Sequence, residues 1–413
     1  MRLLLNKTAL LLLVSPYPTT MSMSTTSSSN RGSSNNRRSA RIKAGLDSSI
    51  ITTPTKEQNK KSNSSVVYDN MPPLLTLGRL IRGTLIKRPS ATIRSPYVAD
   101  VKIQGKKDTV LAHAPALDVG GLCFPGSDVY VLERPPGGKT SHSIELVCGD
   151  PIDEEDTGVL VGAKPHLGEV IAEEVLKRGL ITQDVLSLKD GFALGPVNDF
   201  TKKSISPKKG SPKKQSPAKK KLKTNEDDMD TKLSATETMI NLQQQVTIGD
   251  SRVDFQMTLT KPGGQSHKVV FEVKNVVCAD YQASNAPVPK SPGHCVVVAP
   301  EGKKDEEYKR AALFPWGKTR GQKFDNKPVV SERACKHLKN LESMLDEKNV
   351  TPVVLFIVNR ADCQSMRPCH EKDPVFAEIL SDVVKAGVKA LAVRVRWTED
   401  GECFYDGMLP VNV

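Results

Sequence analysis

The sequence predicts an α+β/α/β chain: a small β-barrel followed by a layered domain with a mixed sheet and flanking helices. Three observations support this. Between Met71 and about residue 150, short apolar-alternating runs recur between Gly, Pro and Asp turns, the spacing of a compact barrel. Beyond residue 158 strand-like and helix-like segments alternate, as in a layered sheet. The run VVLFIV at 353–358 is apolar at every position, as in a strand covered on both faces.

Residues 1–70 are rich in Ser, Asn, Thr and Lys, lack hydrophobic periodicity and are expected to form a disordered leader. MRLLLNKTALLLLV is short, broken by Lys7 and followed by an acid-free Ser/Thr-rich stretch. It reads as a chloroplast or mitochondrial transit peptide, or as a leader ahead of a start at Met21 or Met23, with a secretory signal as a third reading. No apolar run reaches the roughly 18 residues a membrane span needs, so no membrane partner is expected. In the barrel region, 71–150, LLTLGRLIRGTLIKR, YVADVKI, TVLAHA, DVYVLE and SIELV are the expected strands.

The domain at 158–413 opens with GEVIAEEVLKRGLI, where Ile171, Val175 and Leu176 keep helical spacing and Gly179 is a stop. An exposed insertion at about 198–238 follows. Its core, KKSISPKKGSPKKQSPAKKKLK, has Pro every five residues and dense Lys, which forbid a packed helix or strand. Then come SRVDFQMTL, KVVFEVKNVV, a helix from Ser331 to about Asp346 striped by Ala334, Leu338, Leu341 and Leu345, VVLFIV, a helix from about Pro374 to Lys385, and ALAVRVRW.

The net charge of +12 invites a nucleic-acid reading, but its location matters. Seven of those charges fall in residues 1–46 and ten in 202–223, which leaves the remainder at −5. Any basic face on the folded part is therefore local. Eight cysteines show no CxxC pair and no zinc spacing with histidine, so reduced, buried thiols are expected, as in an intracellular protein.

Glu272 and Lys274 stand two apart in an apolar strand and so share one face, with Phe271 and Val273 on the other. Asp254 lies in the preceding strand, and the Pro-Gly-Gly turn between them predicts a hairpin. If the strands pair, Asp254 and Glu272 can offer carboxylates to one hard cation such as Mg or Mn. Lys274 would then hold an attacking water or stabilise a pentacovalent phosphate. The alternative is a surface ion pair on an edge strand, with Asp254 as a capping carboxylate.

In this order, SRVDF, FEVKNVV, SERACKHLKNL, VLFIVNRADCQSMRP, DPVFAEIL and AGVKALAVRV resemble the sugar fermentation stimulation protein family over most of residues 158–413. The resemblance implies an OB-like barrel followed by a restriction-endonuclease-like domain of the PD-(D/E)xK type, with DNA binding. It sets Asp254, Glu272 and Lys274 on that superfamily's motif positions as catalytic residues, with Asp254, Glu272 and a further acid, Glu174, as metal ligands. It also places Ser251 and Arg252 beside the motif aspartate, and Glu332, Arg333, Lys336 and His337 on a helix facing the site. The chain departs from the family's His-Cys-Pro-Asn-Thr-Gly pattern at Ala116, Leu117 and Asp118, keeping His113 and Pro115. Lys164 and Pro165 stand where the family has Asn-Thr, Gln245 where it has Glu, and WGKTRGQKFDNK interrupts the pattern ahead of the facing helix.

In the barrel, Arg79, Arg82, Lys87, Arg88 and Arg94 form a basic set suited to phosphates, while Tyr97, Phe124 and Tyr130 are the few aromatics. In the insertion, Ser-Pro-Lys-Lys repeats bearing Lys208, Lys209, Lys213 and Lys214 resemble linker-histone tails, and PAKKKLK resembles a nuclear import signal. The expectation is a nuclear nucleic-acid-binding protein, for DNA first and RNA second, with no organic cofactor. A Mg- or Mn-dependent nuclease and a non-catalytic scaffold are the alternatives.

Overall fold

The structure, a computed structural model, describes residues 71–114, 119–149, 158–181, 183–186, 188, 192–202, 238–249, 251–291, 293–300, 302 and 307–413. The expected leader, Ala116–Asp118, and Lys208, Lys209, Lys213 and Lys214 lie outside the described residues.

A short strand, β1 (Leu75–Thr76), precedes the barrel strands β2 (Ile81–Lys87), β3 (Val98–Ile103), β4 (Thr109–His113), β5 (Asp128–Glu133) and β6 (His142–Cys148). Their order is β4-β3-β2-β5-β6, and parallel pairing of β4 with β6 closes the ring. Closure removes the exposed edges that an open five-stranded sheet would carry. Val101 and Ile103, like Val129 and Val131, sit two apart on the inner face, and with Leu85, Ile144 and Val147 they fill the interior.

The barrel sheet continues past the expected boundary at 150: β7 (Leu160–Gly162) adds to β6. Gly162 is needed there because a Cβ would lie 2.4 Å from the Asn359 side chain. That contact, with Gly162 N–H donating to Asn359 O (3.2 Å), ties the barrel to the layered domain.

The helix α1 (Leu167–Lys177) and the single turn α2 (Gln183–Leu186) follow. Next come β8 (Asp199–Thr201) and β9 (Met239–Ile248), which pair in parallel. No strand is expected from sequence at either position. In β9 the polar run Gln243, Gln244, Gln245 masks the alternation, and β8 is too short to show one. The hairpin β10 (Ser251–Thr260) and β11 (Ser266–Val276) turns through Gly263 and Gly264, both at positive φ, as the Pro-Gly-Gly signal predicts.

After β12 (Cys278–Ala279) and β13 (Ala311–Phe314), the interrupting segment folds into a small hairpin, β14 (Lys323–Phe324) and β15 (Lys327–Pro328). The chain ends with α3 (Glu332–Ser343), β16 (Val350–Val358), β17 (Ser365–Pro368), α4 (Pro374–Ala386), β18 (Lys389–Trp397) and β19 (Glu402–Leu409). Ser331 caps α3, its Oγ accepting from Ala334 N (3.2 Å), and Asp373 caps α4 ahead of Pro374.

The main sheet has the order β1-β19-β18-β16-β11-β10-β9-β8. Its centre, β11, β16 and β18, is parallel, and β10 and β19 flank it antiparallel. One face, with Phe255, Phe271 and Leu355, packs on Ile171, Val175 and Leu176 of α1. The other, with Val270, Val354 and Phe356, packs on Leu338 and Leu341 of α3 and Phe376 and Leu380 of α4. This is a mixed sheet with helices on both faces behind a small closed barrel. The eight cysteines, all among the described residues, form no disulfide; seven are buried and Cys148 is half-buried. No helix among the described residues is long and apolar enough to cross a membrane.

Candidate functional site

Period-two geometry in β11 sends Phe271 and Val273 into the α1-side core and Glu272 and Lys274 toward α3. Because β11 is an interior strand, both charged groups are buried, at 4% and 9% exposure. The edge-strand surface pair is thus ruled out. Lys274 Nζ donates to Glu272 Oε1 (2.6 Å), and His337 Nδ1 of α3 contacts the same oxygen. Arg333 Nε donates to His337 Nε2 (3.2 Å). With Nε2 accepting, the imidazole proton belongs on Nδ1, where it donates to Glu272.

Asp254 enters from β10. The β10–β11 ladder ends at Phe255 opposite Phe271, and beyond it Asp254 Oδ2 accepts the Val273 N–H at 2.7 Å. A carboxylate thus replaces the next ladder partner and lies in the fork between the strands, beside Glu272. Its Oδ1 accepts from Gln245 Nε2 (3.3 Å), which also donates to Glu169 Oε2 (3.1 Å). Gln245 stands opposite Asp254, at the one position left unpaired in a register that otherwise runs unchanged from Val246–Val253 to Gln244–Phe255, and it sits at φ 56°.

The two acids titrate in opposite directions. Burial, then the charges of Glu272 and Glu169, push Asp254 up to about 6 against the Val273 N–H and Lys274. Burial also works to raise Glu272, but the His337 hydrogen bond and the Lys274 charge outweigh it and hold that carboxyl below its ordinary value. The protein therefore supplies counter-charge to Glu272 and leaves Asp254 short of it.

Glu174 requires a correction. Its carboxylate pairs with Lys177 (3.4 Å) and Arg178 (3.3 Å), and Arg178 anchors the carbonyls of Pro72 and Pro73. Five residues turn the helix by about 140° and advance it by roughly 7.5 Å, so Glu169 faces the cluster and Glu174 does not. The helix pattern shows that α1 forms, but its rotation against the sheet is set by tertiary packing. Glu169 carried no other sequence signal.

Among the described residues no group of three or more His, Cys, Asp or Glu side chains is arranged to hold a metal ion. Asp254 and Glu272 remain a carboxylate pair, and magnesium needs only one or two protein carboxylates with waters and phosphate oxygens. The residues fit such an ion, because burial and then the neighbouring acid Glu272 hold Asp254 back from ionising, and a cation would offset the charge there.

Beside the cluster, α3 and the start of β10 enclose a cavity of about 430 Å3, whose lining includes Ser251, Arg252, Arg333, Lys336 and His337. The five residues expected to meet nucleic acid there are thus brought together. Gln322 and Asn340 also line it, neither expected from sequence. Asn340 Nδ2 donates to Ser251 Oγ (2.8 Å), and Gln322 Oε1 accepts from Glu332 N (3.1 Å).

The barrel's basic set is less available. Arg82 pairs with Asp128 (2.7 Å), and Arg88 Nε donates to Pro96 O (2.8 Å). Arg79, Lys87 and Arg94 are exposed. Tyr130 is buried with its hydroxyl on Glu399, Tyr97 is exposed, and Phe124 lies under Lys290. Lys164 forms an ion pair with buried Glu145.

A family profile described as "Sugar fermentation stimulation protein RE domain" matches residues 328–401. A sugar fermentation stimulation protein homolog from Maricaulis maris is 43% identical over 316 residues, covering 76% of this chain and 88% of that protein. One from Synechococcus sp. is 22% identical over 307 residues, covering 74% and 84%. Among solved structures, the SfsA of Pyrococcus furiosus in complex with Ca2+ aligns with TM-score 0.47 and 17% identity, over 83% of this chain and 99% of that one.

Proposed function

The chain belongs to the sugar fermentation stimulation protein family, and on that premise we propose that it binds nucleic acid, DNA first, across α3 and the start of β10. The observation that supports this reading is the convergence of Asp254, Glu272 and Lys274 in one strand fork next to Arg252, Arg333 and Lys336. Cations in such a row contact phosphates and supply affinity without reading sequence. The insertion's Lys208, Lys209, Lys213 and Lys214 extend the same chemistry. Fluorescence anisotropy against salt tests the reading: three phosphate contacts give a log–log slope of about −2 to −3. A flat response contradicts it.

The raised Asp254 carboxyl favours a second reading, a divalent-metal-dependent nuclease. Asp254 and Glu272 would hold Mg or Mn, which when bound acidifies water and offsets charge on a phosphate. Lys274, hydrogen-bonded to Glu272, is placed to neutralise a phosphate oxygen beside them. Labelled DNA and RNA incubated with Mg or Mn decide this. Cleavage by the wild type that disappears in both Asp254→Ala and Lys274→Ala establishes the enzyme, and equal residual cleavage in all three defeats it.

A further inference from the structure

The cavity beside the cluster has chemistry of its own. At about 430 Å3 it has the size of a small-ligand site, roughly 300–1,000 Å3, yet no aliphatic side chain lines it and its one ring is the His337 imidazole, held by Glu272 and Arg333. Charge therefore dominates its lining. Two guanidiniums, Arg252 and Arg333, and one ammonium, Lys336, face it against a single carboxylate, Glu332. Lys336 and Glu332 pair with each other at 2.7 Å, which leaves the guanidiniums uncompensated. Among the described residues the Arg252 side chain makes no hydrogen bond or ion pair, and the Arg333 side chain bonds only His337, through Nε.

Two uncompensated positive charges match a phosphomonoester, which carries about −1.5 to −2 charges at neutral pH, better than a backbone diester with one. Guanidinium forks also suit its several oxygens. The cavity wall includes Gln322, which precedes the β14–β15 hairpin and accepts from Glu332 N at the start of α3. His337 both lines the cavity and contacts Glu272, so a phosphate seated there lies one imidazole away from the acid pair.

We propose that this cavity seats the terminal phosphate of a nucleic-acid strand, placing the strand end beside Asp254, Glu272 and Lys274. The proposal rests on the nucleic-acid reading above and narrows its substrate to phosphorylated ends.

The test compares one oligonucleotide sequence carrying a 5′-phosphate, a 3′-phosphate or hydroxyls at both ends, measured by anisotropy with the full chain. The wild type should bind one phosphorylated form about tenfold more tightly than the hydroxyl form, the return of one added charge-assisted contact. In Arg252→Ala, and separately in Arg333→Ala, that preference should fall below about twofold, whatever the variant's absolute affinity. Both side chains are exposed, so folding should survive. Inorganic phosphate should abolish the wild-type preference without displacing the strand. Strand binding that ignores the end chemistry overturns the terminal-phosphate site and leaves the nucleic-acid reading standing. Binding of inorganic phosphate but of no oligonucleotide overturns both.

Discussion

Two buried charge clusters lie in the same layered domain, and they are built on opposite principles. In one, Asp362 sits between Arg360 (Nε to Oδ1, 2.6 Å) and Arg310 (Nη1 to Oδ2, 2.7 Å), while Arg310 Nε also donates to Asp280 O and Arg360 Nη1 to Val277 O. Burial alone would raise Asp362, but Arg360 and Arg310 overcome it and hold the carboxyl low. In the other, Asp254 and Glu272 share a fork in which the cationic help reaches Glu272, and Asp254 is pushed up to about 6. With the adjoining Arg367, paired to Asp280 (3.2 Å) and Glu371 (3.0 Å), three guanidiniums meet three carboxylates, and a cluster balanced in this way serves the fold. An unbalanced one, kept in the middle of a sheet, is where a ligand of opposite charge would find an advantage.

The largest expected effect is on the balanced side. Asp362→Ala strands two buried guanidiniums and should destabilise by about 3–5 kcal/mol in urea unfolding. A loss under about 1 kcal/mol would remove the contrast.

Next is Asp254→Asn. A carboxyl at about 6 when folded and at an ordinary 3.8 when unfolded opposes folding above pH 6, and this penalty fades as pH falls toward 4, where the folded form keeps its proton. The gap corresponds to roughly 3 kcal/mol as an upper bound. Asp254→Asn should therefore exceed wild-type stability at pH 8 by up to that amount and match it near pH 4, read by urea unfolding at both. The sign is the reverse of Asp362, whose depressed carboxyl contributes stability that is lost as pH falls through its folded value.

The smallest effect is expected at the rim. Lys336→Ala breaks an exposed pair with Glu332 and should change stability by less than about 0.5 kcal/mol. The same change should reduce the salt slope of DNA binding by about 1. An unchanged slope removes Lys336 from the contact set.

Much of this was legible from residues. The strand period fixed Glu272 and Lys274 on one face, and the Pro-Gly-Gly turn brought Asp254 to them, because both signals are local. The α3 and α4 starts were readable for the same reason, at Ser331 and Asp373. What sequence did not disclose depends on distant partners. The rotation of α1 decides between Glu169 and Glu174 through packing against β11 and β16, and no periodicity within the helix encodes it. The left-handed backbone at Gln245, opposite Asp254, shows no turn residue in the sequence, since its positive φ is carried by a glutamine. Gln322 reaches the cavity only because a two-strand hairpin folds back onto the α3 N-terminus. His337 could be assigned to the site by resemblance alone, and its bond to Glu272 needed coordinates.

The imbalance at Asp254 is tested most directly by calorimetric titration of Mg or Mn into the wild-type chain in buffers of different ionisation enthalpy, which counts the protons released. An acid near pH 6 that a cation forces to ionise should give about one bound ion per chain, releasing roughly half a proton at pH 6 and almost none at pH 8. Neither binding nor proton release should appear in the Asp254→Asn, Glu272→Gln double variant. Binding of equal strength in that variant, or binding by the wild type with no proton released at pH 6, would contradict the account.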